Sequence, residues 1–225
     1  MIFRTALLCM AVVAAPVRAE TPRDLLTQAS FHDRDKAVAA RRVAAAHAAA
    51  TAALRRNPQD REAALMQATA LGYRAKLTGS RGDAIAARKA MEALVATQPR
   101  DAERQLVLGA WHMGAVHRLG RIVARAALGA SKPAGLLALD RAVALGGDRA
   151  FFSGISALLR LEQDPKDQKA RALVEAAARG SAPTPLDRQM QAAARAVLVP
   201  LRAGDAGVTR RLAARFLPFG HIDPE

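Results

Sequence analysis

Apolar residues along this chain recur at helical spacing, and no segment sustains the strict apolar–polar alternation of a half-buried strand. The helical stretches are separated by clusters of Pro, Gly and Asp: NPQD at 57–60, TGSRGD at 78–83, QPRD at 98–101, GASKP at 129–133, GGD at 146–148, QDPKD at 163–167, APTPLD at 182–187 and AGDAG at 203–207. Each cluster can end one helix and begin the next, because Pro lacks an amide hydrogen, Gly tolerates left-handed backbone and Asp accepts from free first-turn amides. The pattern predicts an all-α chain of eight or nine helices.

The breaks are ordered. Asp60, Asp101, Asp148 and Asp187 each follow a Pro or Gly turn, at separations of 41, 47 and 39 residues, and each is expected to cap a new helix. Within each unit a second break divides two helices, at Gly79 to Gly82, Gly129 to Pro133, Asp164 to Asp167 and Gly204. Antiparallel helix pairs recurring about every forty residues predict an α-solenoid, in which each pair buries its apolar face on the next.

Composition agrees with this reading. Ala dominates beside Leu, Arg and Glu, all good helix formers, while aromatic residues make up 4% of the chain. Residues 36 to 56 hold few large apolar side chains, only Val38, Val43 and Leu54 amid Ala. This helix can pack only by close approach through its Ala face, as a cap on the repeats.

Several short motifs sharpen the assignment: ALGYRA at 70–75, LVLGAW at 106–111, and the helix ends ALVATQPRD at 93–101 and RAVALGGD at 141–148. With these the chain resembles the tetratricopeptide-like superfamily over most of residues 36 to 215. The resemblance implies a right-handed α-solenoid that binds a protein or peptide on its concave face, with no chemistry; no cofactor and no metal are expected.

The N-terminus reads as a targeting segment. MIFRTALLCMAVVAAPVRAE has an early cation at Arg4, an apolar run from Thr5 to Ala15 and small residues around Arg18, the pattern of a secretory signal cleaved before Glu20. The run falls short of the ~20 residues that span a bilayer. The expected organisation is a signal at 1–19, a lead segment at 20–35, the repeat domain at 36–215 and a tail at 216–225. Phe216, Leu217 and Phe219 of that tail are read as covering the last helix pair or as docking a partner.

Cleavage would remove Cys9, the one Cys, leaving neither disulfide nor thiolate chemistry. It would also remove Arg4 and Arg18, lowering the formal charge from +14 to +12. Such a surface attracts anions, and for an exported, periplasmic protein the expected partner is an acidic protein or peptide rather than nucleic acid.

The candidate site is the stretch GAWHMGAVHRLGRIVARAALGAS at 109–131, which carries the single Trp. On a continuous helix Leu108, Val116, Leu119, Ile122 and Val123 share one broad face, with His112 among them as a neutral, hydrogen-bonded core residue. Arg104, Trp111, Arg118 and Arg125 follow at intervals of seven, with Arg121 beside them. That flank has two readings. It is a wall for carboxylates or phosphates, with the indole adding stacking, or it is a solvated Arg stripe beside a Trp that plugs a helix seam. Gly109, Gly114 and Gly120 would then serve close helix packing, or the floor of a cleft.

Enzyme signatures are absent from the sequence. There is no phosphate loop, no HExxH pair, and FFSGISALL at 151–159 has Leu158 where a nucleophile elbow needs Gly. His112 and His117 are five apart, out of register for a metal pair on one helix face, and His32, His47 and His221 are scattered. Two function classes follow: a scaffold or adaptor that binds a protein through its helical repeats, or a small-ligand or lipid carrier serving a transporter. A deep apolar pocket near Trp111 would mark the carrier, an open groove lined by Arg118, Arg121 and Arg125 the scaffold.

Overall fold

The computed structural model describes residues 20–222, so the signal reading of residues 1–19 lies outside the described residues. The described chain is all-helical, with ten helices: α1 (Pro22–Phe31), α2 (Lys36–Arg56), α3 (Arg61–Thr78), α4 (Arg81–Thr97), α5 (Ala102–Leu128), α6 (Lys132–Gly146), α7 (Ala150–Gln163), α8 (Gln168–Arg179), α9 (Pro185–Arg202) and α10 (Ala206–Phe216). The expected count of eight or nine is low. The helix that it omits is α1, inside the presumed lead segment, where Thr21 and Asp24 form a reciprocal capping box around Pro22.

Local chemistry explains the helix starts. Thr21, Asp35, Asp60, Ser80, Asp101, Ser131, Asp167, Thr184 and Asp205 each accept from the backbone N–H three residues on. Two of the four expected Asp caps behave differently. Asp148 accepts from the Ser181 hydroxyl at 2.9 Å, and the N-cap of α7 is Arg149, which makes no side-chain cap hydrogen bond. Asp187 lies in the first turn of α9, and its Oδ1 accepts from Phe151 N–H of α7 at 3.1 Å. The missing cap of α7 is thus supplied from another helix.

Each helix packs on its successor, and the odd-numbered helices also meet one another, α1 with α3, α3 with α5, α5 with α7 and α7 with α9. Arg23 laces the starts of the first three, donating to Glu62 of α3 (2.6 and 2.8 Å) and to Glu103 of α5 (2.7 and 2.8 Å). These two carboxylates and burial have opposing effects on the Arg23 pKa, and the net shift is upward, with the hydrogen bond to Glu62 the largest cause.

Two cores result. The larger centres on α7, whose Phe152, Ile155, Leu158 and Leu161 pack with Met113, Leu139, Val174, Met190 and Val197. The smaller one gathers Ala39, Val43, Ala46 and Ala50 of α2 against Leu26, Leu65, Met66 and Ala70. The Ala face of α2 is its packing face.

The tail spans both cores. Leu217 is buried with the α7 core, whereas Phe219 belongs to the α2 core, edge-on to Tyr73. The Phe219 N–H donates to Ser30 O at 2.7 Å, Lys76 Nζ donates to Pro218 O at 2.8 Å, and a His221 ring nitrogen lies 2.8 Å from Asp33 O. The C-terminal segment therefore closes back on α1 and α3, beyond the last helix pair.

Candidate functional site

Helix α5 is not one straight rod. Gly120 has φ 73° and ψ 162°, a conformation essentially closed to residues with a Cβ. Val116, Ala124 and Ala130 share one buried cluster, although Val116 and Ala124 would stand ~12 Å apart along a continuous helix. The Ser131 N–H reaches back to His112 Nδ1 at 3.2 Å. The chain therefore reverses at Gly120, and residues 117–123 form an exposed elbow.

The reversal breaks the helical wheel on which the sequence reading relied. Val116 is buried as that wheel requires, but Leu119, Ile122 and Val123 are exposed, Ile122 to 85%. The three glycines divide likewise. A Cβ at Gly109 would stand 2.9 Å from the Leu139 side chain, so this glycine does serve close packing of α5 on α6. Gly114 faces open space, and Gly120 makes the bend.

The five residues read as a flank are scattered by the same geometry. Arg104 is 4% exposed, pairs with Asp101 at 3.3 Å, and donates to Leu94 O at 3.0 Å and Thr97 Oγ1 at 3.1 Å, so its guanidinium ties the start of α5 to the end of α4, where Leu94 O also accepts from Gln98 N–H and the Thr97 hydroxyl. It is not on an exposed wall. Trp111 is half-buried in the seam where Ala68, Ala87 and Met91 meet, and stands edge-on to His112. His112 is buried, which lowers its pKa, and the nearby Arg88 lowers it further, so it is the neutral core residue that the sequence suggested. Arg118 donates to Lys76 O at 2.6 Å, capping the end of α3. Arg121 and Arg125 remain exposed, with no partner among the described residues, on either side of Ile122 and Val123.

Behind the elbow lies a polar cluster that sequence reading missed. Lys76 is exposed overall, with its Nζ 6.0 Å from the Phe219 ring centre; desolvation local to the ammonium lowers its pKa, with Glu162 opposing and Arg118 adding to the effect. The Glu162 side chain of α7 is 12% exposed and burial raises its pKa, against His117 at 3.7 Å and Lys76. These groups lie 41 or more residues apart in sequence, apart from the adjacent His117 and Arg118, so no local pattern announces them.

Two cavities stand apart from Trp111. One of about 380 Å³ lies between α2 and α3 beside Lys36, Ala40 and Leu77; the other, of about 220 Å³, lies between α8, α9 and α10. Among the described residues, no group of three His, Cys, Asp or Glu side chains could hold a metal. No single described helix is long and apolar enough to cross a membrane; α5 and α6 reach that only as a pair, bent by 102°. Comparisons of the chain with protein-family models, with curated proteins and with solved structures find no match.

Proposed function

We propose that the protein is an exported, non-enzymatic adaptor, built as a tetratricopeptide-like α-solenoid, that binds an acidic protein or peptide through the α5 elbow. The contacts between alternate helices support the solenoid reading. The observation that carries the function is Ile122, 85% exposed at the bend and flanked by the unpaired Arg121 and Arg125. An exposed aliphatic tip between two guanidinium groups fits a partner with an apolar notch rimmed by carboxylates. The apolar contact supplies affinity, and the Arg forks supply register and encounter rate. That Trp111 packs into a helix seam supports the adaptor over the carrier reading.

Partner capture in the native host tests this. A photo-crosslinker at Leu119 should trap a partner that Ile122→Asp abolishes, and Arg121→Ala with Arg125→Ala should weaken capture and flatten its salt dependence. Arg55→Ala with Arg56→Ala, at the far end of α2, serves as the charge control. Capture unaltered at low salt by the elbow variants would remove the elbow as the docking element.

A further inference from the structure

We propose that the 220 Å³ cavity between α8, α9 and α10 is a binding site for a small organic oxyanion, independent of the elbow. Its lining includes Lys166, Asp167, Gln168, Arg171, Leu201 and Thr209. Both α8 and α10 open on it with their first turns, at Gln168 and Ala206, and so bring the positive ends of two helices to one space.

Helix starts alone would not make a site, since each is already capped by its Asp. The independent observation is Thr209. It is 1% exposed, and its hydroxyl has no hydrogen-bond partner. A helical threonine ordinarily turns its hydroxyl onto the carbonyl four residues earlier. Thr51, Thr69 and Thr78 of this chain all do so, at 2.8 Å each. Thr209 does not, and it borders the cavity. Ser156 also has an orphaned hydroxyl, but it is buried in the middle of α7 and lines neither of the two cavities.

The charges select the ligand. Arg171 and Lys166 are exposed at the rim, and their side chains make no ion pair. Asp167, the one carboxylate in the lining, is occupied: it accepts from Ala170 N–H at 2.8 Å and from Arg160 at 3.2 Å. What remains unmatched is cationic on one side, a hydroxyl donor within, and apolar at Leu201, Pro165 and Ala206. A carboxylate or phosphate ester with a short apolar group satisfies all three.

The test titrates the purified protein with inorganic phosphate and, separately, with butyrate, followed by calorimetry and by backbone NMR shifts of residues 166–171 and 204–209. At least one probe should bind and shift both segments; the stronger one identifies the class of anion. Arg171→Met should weaken that binding at least tenfold. Thr209→Val should weaken it about fivefold while leaving the melting temperature of the unliganded protein unchanged or higher, because the lost hydroxyl had no partner; Thr209→Ser should restore binding. No response to either probe overturns the proposal. So does binding that Thr209→Val and Arg171→Met leave intact, which would show general attraction to a cationic surface.

Discussion

The Phe219 ring stands edge-on to Tyr73, with 4.9 Å between ring centres and 82° between planes, and so joins the last turn of the chain to the third helix. The contact is more than cosmetic. Phe219 is buried in the α2 core, and its N–H donates to Ser30 O, so one residue fastens the C-terminal segment to both α1 and α3. Truncation to Phe219→Ala should cost about 3–5 kcal/mol in urea denaturation, the range for a buried phenyl. An unchanged midpoint would mean that the closure adds nothing to stability.

Tyr73 reports on the same closure through its titration. Burial pushes its hydroxyl up to about 12, a hydrogen bond with Ser30 acting in the opposite direction. The folded state thus holds the phenol proton more tightly than the unfolded chain, whose tyrosine ionises near pH 10. This contribution is full below pH 10 and is lost as pH rises towards 12. Phe219→Ala should move the Tyr73 absorbance titration down towards 10.

Asp187 is fully buried, paired with Arg149 at 2.9 Å, and caps both its own helix and α7. Burial alone would raise its pKa, but the hydrogen bonds from Arg149, Thr184 and Phe151 N–H outweigh it and hold the carboxyl below its ordinary value. Its stabilisation is therefore present above the unfolded value near 3.9 and lost as pH falls through the lower folded value. Asp187→Asn should cost about 2–4 kcal/mol at pH 7 and flatten the acid limb of the stability curve. Asp205→Asn, at an exposed cap, should cost no more than a few tenths, since Asn caps about as well as Asp.

Gly120 and Gly114 make opposite predictions from one helix. Gly120→Ala places a Cβ on backbone reserved for glycine and should cost about 1–3 kcal/mol, with a change in Trp111 fluorescence as the elbow shifts. Gly114→Ala enters open space at helical angles and should stabilise by about 0.5–1 kcal/mol. Equal effects from the two would argue for an unbroken α5.

Two arginines of the supposed flank separate in the same way. Arg104→Ala empties the buried space of a guanidinium that packs and hydrogen-bonds between α4 and α5, and should cost about 2–3 kcal/mol. Arg125→Ala, exposed and unpaired, should fall within about 0.5 kcal/mol of wild type. Chemical denaturation of the two single variants decides it.

The sequence by itself determined the helices and nearly all their boundaries. All eight Pro, Gly and Asp clusters fall at helix junctions, because a cap or stop is settled by groups three or four residues apart. The capping box at Thr21 and Asp24 is equally local, so α1 too is legible in the sequence. Tertiary structure decided what the helices present to solvent. A wheel drawn through 102–128 assumes one axis, and the bend at Gly120 turns Leu119, Ile122 and Val123 out of the core that such a wheel assigns them. The burial of Arg104, the cap that Asp187 lends to α7, and the anchoring of Phe219 on Tyr73 each depend on a second helix or on the chain's return to its beginning. Local spacing carries no information about such partners, because they are brought together only when the two cores pack.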